Sequence, residues 1–128
     1  MRKLSLVAIM SLSFLMAGCK SDAETVISDM ISKMNEITAV LKSITDANSS
    51  KAAAPKLKGL VDDLQKIKNK ADTVKGTKAE SDRLQAKYEK QLTDAMTAFQ
   101  AESMRIATNP SLMTPELQGA FQSMSMLK

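Results

Sequence analysis

Apolar side chains recur at intervals of three or four residues along two long stretches of the chain. The first set consists of Ile27, Met30, Met34, Ile37, Leu41 and Ile44, and the second of Leu57, Leu60, Leu64, Ile67, Ala71 and Val74. Because an α-helix turns once in about 3.6 residues, each set forms one apolar seam along one side of a helix. The pattern predicts two long amphipathic helices that bury their seams against other helices.

A third seam and a shorter fourth one follow. The third consists of Tyr88, Leu92, Ala95, Phe99 and Ile106, with Leu84 and Met96 beside it. It is imperfect, because Glu102 or Ser103 stands where the spacing requires an apolar side chain. Near the C-terminus, Leu117, Phe121 and Met124 form the apolar face of a much shorter helix.

Local signals predict where these helices begin and end. Ser21 and Thr77 each precede a glutamate by three residues, which is the pattern of a capping box at a helix start. Thr114, followed by a proline, predicts the start of the last helix. Gly76 is expected to close the second helix in the left-handed conformation, and the polar residues 45–50 are expected to form the turn before it.

The expected fold class is therefore all-α. Short connections favour antiparallel neighbours, so we expect a small antiparallel bundle of three long helices plus a short C-terminal helix. Composition agrees, because the chain has no tryptophan and only 3% aromatic residues, whereas strands are rich in aromatic and β-branched side chains. The helical domain itself shows no resemblance to a characterised family.

The N-terminal segment has a different character. Arg2 and Lys3 precede an apolar run, residues 4–16, that is broken only by serines. A basic start, a short apolar segment and small residues are the layout of a secretory signal. The run is too short for a membrane-spanning helix, which needs roughly 20 apolar residues. We therefore expect this segment to be removed.

The segment ends in Met16-Ala17-Gly18-Cys19, which resembles the lipobox of bacterial lipoproteins. The resemblance implies that the signal peptidase recognises Leu15, Met16, Ala17 and Gly18. It also implies that a diacylglyceryl group is attached to the thiol of Cys19 before the chain is cleaved in front of that residue. The family usually has leucine where Met16 stands. The alternative is an ordinary signal peptide followed by a free cysteine.

On this interpretation residues 1–18 are a cleaved lipoprotein signal peptide and residues 19–128 are a lipid-anchored helical bundle domain. The lipid on Cys19 would hold the protein on a membrane. Because Lys20 follows the cysteine, and the resemblance associates aspartate there with inner-membrane retention, we expect the periplasmic face of the outer membrane in the bacterial cell envelope.

Residue types suited to catalysis are scarce. The chain has no histidine and a single cysteine, the one expected to carry lipid. Asp62 and Asp63 are adjacent, and neighbours on a helix point in different directions, so they are expected to be surface residues and not metal ligands. Ten methionines could suggest Cu(I), but without histidine or a second cysteine we expect the thioethers to pack in the core instead. We expect no enzyme, no cofactor, no metal site and no small-molecule substrate.

The expected function is therefore that of a structural, scaffold or partner-binding module. The formal net charge is +4, and the lysines of residues 56–78 alternate with seam residues as on a solvated helix face, so no nucleic-acid partner is expected. A protein partner or self-association is expected instead. The test suggested by the sequence is whether apolar residues outside the seams form an exposed patch; these are Val26, Ile31, Val40 and Val61.

Two alternatives stay open. The murein lipoprotein resembles this chain in its lipobox, its heptads and its C-terminal lysine, which implies that Lys128 could be joined to the cell wall. The chain departs from that family in its prolines and its interrupted heptads. The second alternative is a membrane-perturbing, lysis-type lipoprotein that would act through Leu117, Phe121 and Leu127.

Overall fold

The computed structural model describes residues 21–127, which form four helices packed against one another. These are α1 (Asp22–Lys42), α2 (Ala47–Thr73), α3 (Lys78–Ala107) and α4 (Pro115–Ser125). The predicted fold class, an all-α bundle of three long helices and a short C-terminal one, is confirmed.

The predicted helix starts are confirmed by side-chain caps. The Ser21 hydroxyl accepts a hydrogen bond from the third backbone N–H of α1 at 3.2 Å, and Thr77 does the same for α3 at 3.2 Å. Thr114 caps α4, with a proline in its first turn. Each cap satisfies an N–H group that has no partner within its helix.

The predicted turn over residues 45–50 is wrong in its second half, because α2 already begins at Ala47. Asp46 and Ser49 form a reciprocal capping box, in which the Ser49 N–H donates to the Asp46 carboxylate at 2.7 Å and the Asp46 N–H donates to the Ser49 hydroxyl at 3.0 Å. This box holds the polar residues in a helical turn. Pro55 therefore lies inside α2, on its exposed side.

The prediction for Gly76 is also wrong. None of the residues from 21 to 127 has a positive φ, glycine included. The chain leaves α2 through Val74, whose φ of −77° and ψ of 126° are extended, and reaches the Thr77 cap of α3 three residues later. An extended exit needs no left-handed residue, so the conformational freedom of glycine is not used here.

Helix α1 is the centre of the bundle. It packs against α2 on one side and α3 on the other, and α4 packs against α2. In the described part of the chain α2 and α3 do not approach each other closely as helices. Glu24 near the start of α1 contacts residue 88 of α3, and Ile44 just after α1 contacts residue 105, so these two helices run parallel. Consecutive helices are antiparallel, as predicted.

The core is divided unevenly along α1. The larger cluster surrounds the C-terminal half of α1 and includes Ile37, Leu41, Ile44, Leu57, Ile106 and Leu117. The smaller cluster, at the N-terminal half, consists of Ile31, Leu84 and Tyr88. The bundle therefore has a well-filled end, where α4 contributes, and a thinner end near residue 21.

The apolar residues outside the seams, whose exposure was the test of a binding surface, do not form an exposed patch. Val26, Ile31 and Val61 are 5%, 6% and 3% exposed, and Val40 is partly buried against the larger cluster. Part of the predicted seam of α1, Ile27, Met30 and Met34, is instead only partly buried.

Candidate functional site

The residues predicted to carry the lipid and its processing signal lie outside the described part of the chain. They are Leu15, Met16, Ala17, Gly18 and Cys19, and the same holds for Lys128. The nearest described residue is Ser21, the cap of α1. The surroundings of this end of α1 are therefore the part of the fold closest to the proposed lipid.

A buried polar cluster joins this end of α1 to α3. Glu24 is only 6% exposed, and its carboxylate accepts a hydrogen bond from the Tyr88 hydroxyl at 2.9 Å and a second from the Lys87 ammonium. The Lys87 side chain is half exposed, and its ammonium lies 5.3 Å from the centre of the Tyr88 ring. The carboxylate is thus paired and hydrogen-bonded, as a buried charge must be.

These contacts change the acidity of all three groups. The hydrogen bond from Lys87, followed by that from Tyr88, lowers the pKa of the Glu24 carboxyl below its ordinary value. The same contact with Glu24 raises the pKa of the Lys87 ammonium, and the Glu24 hydrogen bond and burial raise the pKa of the Tyr88 phenol. The cluster therefore holds its charges as a salt bridge and acts as a clamp between α1 and α3.

A second clamp lies at the opposite end of α1. The Arg105 guanidinium donates to the backbone carbonyls of Leu41 at 2.9 Å and Ile44 at 3.0 Å, and to the carboxylate of Glu102 at 2.8 Å. Carbonyls at a helix C-terminus have no partner within the helix and attract cations. This explains why polar residues interrupt the predicted third seam: Glu102 orients the arginine that caps α1.

A third buried polar contact fixes α4. The hydroxyl of Ser50 is fully buried and donates to the Leu112 carbonyl at 2.7 Å, while the Thr114 hydroxyl lies 3.0 Å from it. Because the Ser50 proton goes to the carbonyl, Thr114 donates its own proton to Ser50. Sequence reasoning missed this contact because a serine in a polar segment carries no sign of burial.

An apolar groove runs along the N-terminal half of α1. Four residues spaced by three or four form its floor, and all four are only partly buried: Ala23, Ile27, Met30 and Met34. The next two residues in this spacing, Ile37 and Leu41, are 2% and 0% exposed. Met124 and Leu127, at the end of α4, lie beside Met34 and Ile37, where the buried part of the seam begins.

The groove contains two cavities. The cavity near the start of α1, of about 300 Å³, lies between Ala23 and Ile27 of α1, Ala71 and Val74 of α2, and Leu84 of α3, with Thr77 and Glu80 also in its lining. The second, of about 330 Å³, lies between Met34 and Ile37 of α1, Phe99 of α3, and Met124 and Leu127 at the end of α4. Met30 stands between them on the floor of the groove.

The sequence suggested two kinds of metal site to examine, one built from methionines and one from acidic residues. Met113 and Met124 pack against the larger core cluster, whereas Met96, Met104 and Met126 are 50%, 66% and 79% exposed. No three His, Cys, Asp or Glu side chains converge as a metal site would require between residues 21 and 127. No helix in that range is long and apolar enough to cross a membrane.

Two of the three residues through which a lysis-type lipoprotein would act lie in or against the core of the bundle. Leu117 is 0% exposed, and Phe121 is partly buried against the larger cluster. Leu127 lines the second cavity of the groove. The apolar face of α4 is thus used inside the bundle, which leaves Leu117 out of reach of a membrane while the bundle is folded.

Comparison with protein families, with curated proteins and with solved structures gives no match to this chain.

Proposed function

We propose that this chain is a small lipoprotein of the bacterial envelope that is anchored through acylated Cys19 and acts by binding, without catalysis. The observation that carries the proposal is the position of the lipobox relative to the fold. Ser21 caps α1, so a single residue, Lys20, separates the helical domain from the lipid-bearing cysteine. A signal, an attachment residue and a folded domain follow one another without an intervening linker.

The lipid supplies the energy of attachment. Each buried methylene contributes about 0.8 kcal/mol, so a single chain binds reversibly whereas two or more chains hold a protein on the bilayer. A diacylglyceryl group provides two chains. The short distance to Ser21 would keep the first turn of α1, and the connection between α2 and α3 beside it, close to the membrane surface. Lys20 favours the periplasmic face of the outer membrane.

The role as a scaffold or binding module is supported by the uncovered apolar groove on α1. Contiguous apolar surface on a small protein is typical of a site that binds something. Two polar clamps, one at each end of α1, hold this helix against α3 and thereby fix one wall of the groove. No nucleic acid or small-molecule substrate forms part of this proposal.

Cell fractionation of a Cys19→Ala variant tests the anchor. We expect the wild-type protein to remain in the membrane fraction after an alkaline wash and to incorporate labelled palmitate, whereas the variant is soluble or unprocessed and unlabelled. Met104→Ala is the matched control, because Met104 is exposed and distant in sequence from the lipobox. Membrane association of the Cys19→Ala variant equal to that of wild type would disprove the anchor.

Crosslinking of the acylated protein in native membranes, followed by purification and mass spectrometry, tests the binding role. Recovery of one stoichiometric protein partner, or of crosslinked copies of the chain, is the expected result. Recovery of a muropeptide joined to Lys128 would replace this role with attachment to the cell wall.

A further inference from the structure

The floor of the groove is the one part of the α1 seam that the bundle leaves uncovered. Ile37, Leu41 and Ile44 are at most 2% exposed, whereas Ala23, Ile27, Met30 and Met34 remain partly accessible. The partly accessible part therefore begins at Ala23, two residues after the Ser21 cap, and ends at Met34.

One end of the groove lies near the lipid and the other lies beside the end of α4. The first end is at Ala23, and the chain from Cys19 to Ser21 can span at most about 7 Å. The other end is at the second cavity, which Met124 and Leu127 line together with Met34. An apolar chain attached to Cys19 can therefore enter at Ala23 and run toward α4.

The dimensions fit an extended hydrocarbon chain. From Ala23 to Met34 the helix rises by about 16 Å, which is comparable to the length of an extended long-chain fatty acyl group. The two cavities have volumes of about 300 and 330 Å³. An extended acyl chain is narrower than a peptide helix, which with its side chains is about 10 Å wide.

The lining has the chemistry of an acyl site. Alanine, isoleucine and methionine form the floor, and leucine and phenylalanine of α3 form one wall. Methionine side chains are flexible and adapt to irregular apolar shapes. The polar side chains of the first cavity are Thr77, Glu80 and Ser81. They lie at the start of α3 and thus at the entrance, where the polar glycerol linkage would lie.

We propose that this groove binds one of the acyl chains attached to Cys19. The inference rests on the proposed function, because it requires that Cys19 is acylated. The bound chain covers the uncovered stripe of α1 and completes the core at its thinner end. The remaining chains stay in the bilayer, and the docked chain fixes how the bundle is oriented on the membrane.

Thiol labelling tests this directly, because Cys19 is the only cysteine and acylation blocks it. Met30→Cys places a reporter thiol on the floor of the groove, and Ser32→Cys places a control thiol at the same height on an exposed position of α1. Each is prepared acylated, in phosphatidylethanolamine–phosphatidylglycerol vesicles, and unacylated, as residues 19–128 with Cys19→Ser. The rate of reaction with a soluble maleimide is measured for all four proteins.

A groove that is occupied most of the time predicts that acylation slows labelling at position 30 by about tenfold or more and leaves position 32 unchanged. Equal rates at position 30 with and without acylation would overturn the proposal. Equal slowing at both positions would also overturn it, because the membrane and not the groove would then be the shield.

Two further measurements keep the result unambiguous. Circular dichroism verifies that the Met30→Cys protein is folded, and Ile27→Cys is a second reporter on the same floor, with the same expected slowing. The intact mass of each sample separates this inference from the function on which it rests. A chain that carries no acyl group would overturn both, whereas an acylated chain with a freely reactive thiol at position 30 would overturn the groove alone.

Discussion

The carboxylate of Glu24, in the first turn of α1, accepts a hydrogen bond at 2.9 Å from the hydroxyl of Tyr88 in α3. Both residues are buried, with 6% and 7% of their surfaces exposed. The contact joins the end of α1 nearest to Cys19 to a helix that starts far along the chain. Together with Arg105 at the other end, it holds α1 and α3 parallel, and thereby fixes one wall of the apolar groove.

Tyr88→Phe is expected to destabilise the bundle. The substitution keeps the aromatic ring but removes one of two side-chain hydrogen bonds to a buried carboxylate, so the melting temperature should fall by roughly 5 °C. Thermal unfolding followed by circular dichroism measures the change. Lys90→Ala is the control: it removes an exposed ion pair with Asp94 on the same helix and should leave the melting temperature nearly unchanged. Equal effects of both variants would contradict the clamp.

Stability should decrease in acid, and Glu24 should contribute to the decrease. Its pKa in the folded protein lies below the unfolded value of about 4.5, so its contribution is fully present above that value and is lost as the pH falls through the folded pKa. Asp46, whose pKa is lowered by the backbone hydrogen bond from Ser49, acts in the same direction. Urea unfolding between pH 7 and pH 3 should therefore show a steeper loss for wild type than for Glu24→Gln. Identical pH profiles would show that Glu24 is not paired in the folded state.

Ser50→Ala should weaken the attachment of α4. The fully buried hydroxyl donates to the Leu112 carbonyl, which is left without that partner, so we expect a loss of about 1–2 kcal/mol in the free energy of unfolding. Urea denaturation gives the value. Ser32→Ala, on the exposed side of α1, should change stability by less than about 0.5 kcal/mol. A neutral Ser50→Ala variant would mean that this contact does not hold α4.

Gly59→Ala should stabilise the protein. Gly59 lies within α2 on its exposed side, and a Cβ atom added there meets nothing within 4 Å. Alanine reduces the conformational freedom of the unfolded chain, which stabilises a helix interior by about 0.5–1 kcal/mol. An increase in the urea midpoint with an unchanged slope is the expected result. A decrease would indicate that α2 is not a regular helix at this position.

The sequence predicted most of the helical architecture. Apolar residues spaced by three and four identify the buried side of a helix. Caps such as Ser21 and Thr114 bond to a residue only three positions later. Both features can therefore be recognised from a short stretch of sequence. What the spacing could not show is how much of each seam is covered. Met34 and Leu41 occupy the same pattern, yet one is partly accessible and the other fully buried, because coverage depends on which distant residues pack over each position.

The polar residues were harder to predict for a related reason. Glu24 fits a capping box in sequence, but its side chain turns to Tyr88 and Lys87, which are distant along the chain. Ser50 and Arg105 likewise act on residues of other segments. Such contacts form only when the helices pack, so no local pattern shows them.

The intact mass of the protein purified from bacterial membranes tests the lipid anchor most directly. If Cys19 is the acylated first residue of the mature protein, the mass will equal that of residues 19–128 plus the lipid, and alkaline hydrolysis will remove the ester-linked chains. A chain without lipid on Cys19, whether or not it still carries residues 1–18, would contradict the lipid anchor and with it the proposed occupant of the groove.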